Sequence, residues 1–291
     1  MKNLKFLLIA AIVVLASMNG FGQAAGVIKP PKYPDGVYTK ENTRTRRAIP
    51  YAPLREADVM WSKRIWRVID LREKINHTLY YPDQPILDRK SLFDVIKDAA
   101  LNNGTITLFD QATVDDEFRY DMTKSEIEKA LVRWDSTHQA EDPNNPGTMI
   151  SAPIKEETTS DKIWKYWVKE DWFFDRQRSV LDVRIIGICP LIEKISETGE
   201  HLGGDKALFW VYFPEARPIF ANQEVFMRHN DAERRTLEDI FWKRMFTSYV
   251  RKESNVYNRG IYDYKTGLDQ LLEADRVKND IFMYEHDLWH F

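Results

Sequence analysis

A glycine-rich segment is the first candidate for chemistry in this chain. Residues 199–206, GEHLGGDK, place two glycines at the separation found in a phosphate-binding loop, but Asp205 stands where a lysine is needed. An acidic side chain repels phosphate, and the segment joins two predicted strands instead of a strand and a helix. A hairpin turn is therefore the better interpretation.

Histidines are the second candidates. His286 and His290 are four residues apart, a helical spacing that lets two imidazoles share a metal ion. They lack the internal glutamate of the zinc-protease motif. Ser179, His229 and Asp231 are the residue types of a catalytic triad. However, no nucleophile elbow accompanies Ser179, and a triad is recognised by geometry that the sequence does not supply. We predict no metal site and no triad.

Three carboxylates and one thiol are the remaining candidates for chemistry. Glu170, Asp171 and Asp175 resemble the carboxylates of a glycoside hydrolase, but the basic neighbours Lys169, Arg176 and Arg178 make salt bridges the simpler account. Cys189 is the only cysteine and lies in an apolar strand, where a thiolate is disfavoured and no internal disulfide can form. No catalytic residue and no cofactor are predicted.

The elements that position these residues centre on residues 162–190, KIWKYWVKEDWFFDRQRSVLDVRIIGICP. Alternation of apolar and charged residues predicts a half-buried hairpin. Residues 207–213 are expected to add a third strand after a turn at 199–205. One face of the first arm carries five apolar residues, and Trp167 stands on the otherwise charged face. The five are Trp164, Tyr166, Val168, Trp172 and Phe174.

Helices are predicted before and after this hairpin. A Trp-rich first helix is predicted in residues 58–76, DVMWSKRIWRVIDLREKIN, and its apolar face continues to an end before Pro82. That face carries Trp61, Ile65, Val68, Ile75 and Leu79. Other helices are expected after the caps at Ser91, Thr123 and Thr236, the third of these running to Lys252, and near Leu268. The fold class is therefore α+β, a small three-stranded antiparallel meander packed with several helices.

The domain organisation follows from composition. Residues 1–22 have the charged, apolar and small-residue regions of a signal peptide, and no later run is long enough to span a membrane. Residues 23–57 are predicted to form an extended, basic, Pro-rich arm, and residues 58–291 an α+β globular region with a surface or flexible loop at 135–160. Loss of residues 1–22 changes the net charge from -3 to -5, which argues against nucleic-acid binding.

Aromatic and arginine residues outside any chemical motif are the candidate partner contacts, because both types are favoured at protein interfaces. Four tryptophans are interpreted as core residues: Trp61, Trp164, Trp172 and Trp242. The predicted contacts lie in the arm and off the apolar stripes, at Tyr33, Tyr38, Arg44, Arg46, Arg47, Tyr51, Trp66 and Trp167.

The segment KEDWFFDRQRSVLDVRIIGICP, together with the Trp-rich segment at 58–76 and the secretory N-terminus, resembles the gliding motility family GldN, called PorN in non-gliding relatives. The resemblance covers nearly all of the chain after residue 22. It implies a non-catalytic periplasmic component of the type IX secretion machinery. It also implies a ring formed with an outer-membrane lipoprotein of the GldK/PorK type, and contact with the periplasmic part of a GldM/PorM-type motor protein.

Two functions thus follow from the sequence. The first is this structural role in secretion, and in gliding where cells glide, with the lipoprotein holding the chain peripherally at the outer membrane. The alternative is a periplasmic enzyme or small-ligand-binding protein whose site the sequence does not identify. A large complex favours the first function, and a monomer with a saturable ligand site favours the second.

Overall fold

A computed structural model describes residues 45–86, 89–110, 116–135, 139–141, 149–151, 154–196, 200–227, 230 and 232–288. These residues fall within one compact unit of the chain, Lys40–Phe291. The predicted signal peptide and the first part of the predicted arm, up to residue 44, lie outside the described residues.

Strands outnumber helices along the described chain. The strands are β1 (Val59–Asp70), β2 (Leu108–Asp110), β3 (Val132–Asp135), β4 (Gln139–Glu141), β5 (Met149–Ser151), β6 (Ile154–Glu157), β7 (Ile163–Asp175), β8 (Val180–Ile195), β9 (His201–Ala207), β10 (Phe209–Tyr212), β11 (Glu224–Val225), β12 (Arg235–Thr236) and β13 (Tyr249–Glu253). The helices are α1 (His77–Tyr80), α2 (Leu92–Lys97), α3 (Lys124–Leu131), α4 (Phe213–Asn222), α5 (Leu237–Trp242) and α6 (Leu268–Asp287).

The main sheet confirms the α+β class but is larger than the predicted three-stranded meander. It has seven antiparallel strands in the order β13-β1-β7-β8-β10-β2, with β9 also pairing with β8. The predicted hairpin forms β7 and β8, and the predicted third strand forms β10, although Phe213 begins α4. The expected turn at 199–205 is wrong over most of its length, because His201–Ala207 pairs with β8.

The predicted helix at 58–76 is also wrong, because Val59–Asp70 is a strand that pairs with β7 along its length. Trp61, Ile65 and Val68 have the spacing of one helix face. Trp61 and Ile65 are also an even number of residues apart, so they fit one face of a strand equally well. The segment is rich in aromatic and β-branched residues, which pack well on a pleated sheet. Pairing with the thirteen residues of β7 therefore outweighs the helical spacing.

The predicted caps are confirmed. Ser91 accepts a hydrogen bond from the Asp94 backbone N–H, and Thr123 and Thr236 form capping boxes. The Thr236 helix, however, ends at Trp242, and the last residues expected to continue it, from Tyr249 onward, form β13. They pair with the outer edge of β1, which satisfies their backbone groups as a helix would.

Residues 135–160 contain more regular structure than the predicted loop. The end of β3 pairs with β6, and β4 pairs with β5, in two separate antiparallel pairs. Each pair has only three or four residues per strand, so neither makes a core. Because these strands make no core, their sequences lack the periodic apolar residues from which strands are predicted.

Side chains on one face of the main sheet pack under the helices. Directly paired residues share a face, so the register places Ile65, Ile69 and Val168 on the same side. Ile69 and Val168 join apolar residues of α2, α4 and α5 in the largest buried cluster. Ile65 joins Val277 and other residues of α6 in a second cluster. We name this side the helix-covered face.

Candidate functional site

Two of the predicted contact residues lie side by side on the opposite face of the sheet, which we name the aromatic face. Trp66 is paired with Lys169, and Trp167 with Val68, so the two indoles are diagonal neighbours on β1 and β7. Both are half-buried and pack against a third cluster. Its buried members are Cys189, Leu191, Ala207 and Trp210.

Trp66 is held by one carboxylate and two ammonium groups. Its indole N–H donates to Asp116. Lys252 Nζ lies 4.3 Å from the ring centroid, and Lys169 Nζ lies 5.9 Å from it. These are cation–π contacts, each stabilising by about 0.5–1 kcal/mol at partly exposed sites. The ring is thereby fixed in one orientation.

Lys169 is the buried cation of this face, with 2% of its surface exposed. Its Nζ donates to the Asp116 backbone carbonyl at 2.5 Å and lies 3.4 Å from the carboxylate of the same residue. Burial lowers the pKa of Lys169, and the Asp116 charge opposes that shift. Gly187 pairs with Lys169 across the sheet, and a Cβ there would lie 2.5 Å from the end of the Phe118 ring, so a larger residue would have to displace that ring.

Trp167 is covered by a guanidinium. Arg251 stacks with its Cζ 3.7 Å from the Trp167 ring centroid and 4.9 Å from that of Tyr262. Arg251 is the extra residue of a bulge in β13, since Trp66 pairs with Lys252 and Arg67 with Val250. Trp66, Trp167, Lys169, Arg251 and Lys252 form what we name the aromatic–cationic patch.

The other described contact candidates lie in the segment before β1 and contact the body of the same chain. The Arg46 guanidinium donates two hydrogen bonds of 2.6 Å to the Asp239 carboxylate at the start of α5. The Tyr51 ring stacks on Trp242 with centroids 5.6 Å apart. Arg47 is exposed. Tyr33, Tyr38 and Arg44 lie outside the described residues.

A buried ion pair between Arg217 and Glu238 holds the segment before β1 in place. Arg217 donates through Nε to Glu238 at 2.7 Å and through Nη2 to the Ile49 carbonyl at 2.5 Å. Its guanidinium also lies 3.9 Å from the Tyr51 ring centroid. Burial raises the pKa of Glu238, and Arg217 opposes that rise. We name Arg46, Tyr51, Arg217, Glu238 and Asp239 the arm clasp.

The three strand carboxylates considered for chemistry have basic partners, whereas His229, Asp231 and His290 lie outside the described residues. Asp171 pairs with Arg64, Asp175 with Arg178, and Glu170 with Arg244. Salt bridges do form, but of the predicted neighbours, all of which the structure describes, only Arg178 pairs with one of these carboxylates. Arg64 comes from β1 and Arg244 from the segment after α5, and Lys169 pairs with Asp116 instead. Burial raises the pKa of the Cys189 thiol. Among the described residues no group of three or more acidic, histidine or cysteine side chains is placed to hold a metal ion.

Sequence reasoning misses part of this arrangement. Trp242 is interpreted as core from the sequence, yet it is 44% exposed and serves as the platform for Tyr51. Arg251 falls at a predicted helix end, whereas the bulge in β13 places it over Trp167. No local pattern signals either contact, because each joins residues that are distant along the chain.

The arm clasp gives a pH-dependent prediction. Burial alone would raise the pKa of Asp239, but hydrogen bonds from Arg46 and the Thr236 backbone N–H outweigh it, so the net pKa lies below its usual value. A carboxyl with a lowered pKa stabilises the fold above its unfolded pKa of about 3.9 and loses that contribution as the pH falls through the folded pKa.

Arg46→Ala should therefore lower the free energy of unfolding by about 1 kcal/mol at pH 7, since Arg46 is partly exposed. The difference from wild type should shrink as the pH falls below about 4. Urea denaturation at a series of pH values measures it, with the exposed neighbour Arg47→Ala as control. If the two substitutions lowered the free energy of unfolding equally at pH 7, the ion pair of Arg46 with Asp239 would contribute no stability.

The structure is that of an α+β protein. Its distinctive surface consists of aromatic and cationic side chains that are held in place on the main sheet. Residues 54–290 match the family of gliding motility associated protein GldN. This match covers nearly the whole chain, so the chain belongs to the GldN family. A search of curated proteins found no match.

Family membership associates the chain with gliding motility and type IX secretion, and with the cell envelope where that machinery works. GldN proteins are a motility and secretion component and not a known enzyme family. Of the helices in the described residues, none has the length and apolar character needed to cross a membrane.

Proposed function

We propose that this chain is a non-catalytic structural component of the type IX secretion machinery in the periplasm. In this role it assembles with an outer-membrane lipoprotein of the GldK/PorK type into a ring, and it contacts the periplasmic part of a GldM/PorM-type motor protein. The lipoprotein supplies the attachment to the outer membrane. Secretion, and gliding where cells glide, depend on the assembly.

The aromatic–cationic patch is the observation that carries this proposal. Tryptophan and arginine are the residues most often found at the energetic centre of protein interfaces. Trp66 and Trp167 are held in fixed orientations by Asp116, Lys252 and Arg251, so little side-chain entropy is lost when a partner covers them. Half-buried indoles on a rigid sheet suit a protein partner better than a small molecule.

The arm is proposed as a second contact. Arg46 and Tyr51 fix the described end of the arm in the clasp, and the residues that precede them in the sequence supply the other candidate contacts. Those residues contain Tyr33, Tyr38 and Arg44, and Arg47 is exposed beside the clasp. An extended segment with aromatic and basic residues can wrap a partner and bury these side chains on contact.

Complementation of a deletion strain tests the proposal. Loss of the chain should abolish export of type IX cargo, and the wild-type chain should restore it. The Trp66→Ala, Trp167→Ala double variant should restore export about tenfold less well, because two anchoring rings are lost. Phe226→Ala, which removes an exposed ring elsewhere, is the matched control.

Full export by the double variant would show that secretion does not need the aromatic–cationic patch. Normal export by the deletion strain would contradict the secretion role itself. In that case a saturable small-ligand site, measured by calorimetry on the purified chain, would establish the enzyme or ligand-binding alternative.

A further inference from the structure

Helix α6 carries a second unpartnered surface, on the other side of the sheet from the aromatic–cationic patch. Its inner side packs through Ala274, Val277 and Ile281. Its outer side presents large apolar residues to solvent, which monomeric proteins rarely expose together. They are Leu268 (69% exposed), Leu272 (58%), Phe282 (62%) and Met283 (50%).

An acidic residue lies in the middle of this outer strip. Leu268, Leu272 and Asp275 follow the spacing of four and three residues that places them on one helical line. Asp275 is exposed, and no ion pair or hydrogen bond within residues 232–288 engages it. The neighbouring Arg276 is already paired with Glu273 and Asp280. The strip therefore offers one uncompensated carboxylate between two apolar ends.

The aromatic–cationic patch has the complementary composition. Arg251 stacks between Trp167 and Tyr262, and among the described residues it forms no ion pair. A guanidinium stacked on a ring keeps its N–H donors in the plane, free to take a carboxylate in two parallel hydrogen bonds. Apolar side chains on either side of that carboxylate would cover the indoles.

We propose that the outer strip of α6 in one copy docks on the aromatic–cationic patch of a second copy, with Asp275 accepting hydrogen bonds from Arg251. The two surfaces are complementary in charge and in apolar area. Because α6 packs on the helix-covered face and the patch lies on the aromatic face, each copy offers both surfaces and the contact is head-to-tail.

Head-to-tail contacts repeat from copy to copy and close into rings when the rotation allows it. This inference rests on the ring assembly of the proposed function and names the surfaces that would form it. The contact involves only copies of this chain. It can therefore be tested where other secretion components are absent.

The test is charge exchange between two differently tagged full-length chains, co-exported in a heterologous host and captured through one tag. Arg251→Asp in both copies, or Asp275→Arg in both, should lower co-capture about tenfold by placing like charges together. One copy with Arg251→Asp and the other with Asp275→Arg should restore it, because every contact then joins opposite charges. Asp287→Arg, an exposed acid at the end of α6, is the control.

Asp275→Arg alters an exposed helical position, so its folding is not at risk, and thermal melting verifies each variant. Restoration by the mixed pair supports the contact. Wild-type copies that fail to co-capture, or an Asp275→Arg chain that co-captures normally, overturn it. Complementation of the deletion strain tests the secretion role separately.

Discussion

Glu170→Ala is expected to lower the free energy of unfolding by about 3–5 kcal/mol. Glu170 is fully buried in the middle of β7. Its Oε2 accepts hydrogen bonds of 3.1 Å from both Arg244 Nη2 and the Trp172 indole, and Oε1 lies 3.0 Å from Arg244 Nη1. Removal of the carboxylate leaves these donors without their acceptor.

A buried arginine near Glu170 makes the loss larger. Arg67 is 8% exposed and donates to Ser248, and burial lowers its pKa while the charge of Glu170 opposes that shift. Glu170→Ala would remove the carboxylate whose charge offsets the effect of Arg244 on Arg67. The repulsion between the two arginines then adds to the cost of the unmet hydrogen bonds.

The adjacent carboxylate is a matched control for this prediction. Asp171 forms an equally well-shaped pair with Arg64, at 2.6 and 2.8 Å, but on the other side of the strand and with both side chains partly exposed. Asp171→Ala should cost at most about 1 kcal/mol. Denaturant unfolding of both variants measures the difference. Similar losses would contradict the assignment of Glu170 as the buried anchor of the sheet.

Arg217→Ala is expected to have the second largest effect, about 3 kcal/mol at pH 7. The substitution leaves the Glu238 carboxylate buried without its cation and removes the donor to the Ile49 carbonyl. It also removes the cation that stacks on Tyr51. The segment before β1 should therefore detach, and trypsin should cleave after Arg46, Arg47 and Arg55 faster than in wild type.

The pH dependence of this variant has a defined sign. Burial raises the pKa of Glu238, and loss of Arg217 removes the charge that opposes the rise. A carboxyl with a raised pKa binds a proton more tightly in the folded state, so the variant should regain stability as the pH falls from 8 towards the unfolded pKa of about 4.3. Replacement of both partners, Arg217→Met with Glu238→Leu, should restore stability at all pH values.

Failure of that double variant to recover would show that the hydrogen bond to Ile49 dominates. A pH-independent loss in Arg217→Ala would contradict the burial of a charged Glu238. Either result can be obtained from denaturant unfolding between pH 5 and 8.

The hairpin and the helix caps could be predicted from sequence because their signals are local. Alternation in residues 162–190 and side-chain caps at Ser91, Thr123 and Thr236 depend on neighbours within a few positions. The strand at Val59–Asp70 could not, because its apolar spacing satisfies two periods and the choice is made by pairing with β7. The same holds for β13, which takes its structure from the edge of β1.

The candidate site is predictable in part for the same reason. Trp66 and Trp167 can be found because each breaks the alternation of its own strand or stripe. Their juxtaposition and the role of Arg251 depend on the register of three strands and on one bulge. The sequence predicts that Arg46 and Tyr51 contact a partner, whereas the structure adds contacts to the body of their own chain.

The most direct test of the structural role is the mass of the native species. The untagged chain would be purified from the cell envelope in a gentle detergent and measured by light scattering. The account predicts a species many times heavier than the 34.3 kDa chain and containing an outer-membrane lipoprotein. A species near the mass of one chain, without a lipoprotein, would contradict it.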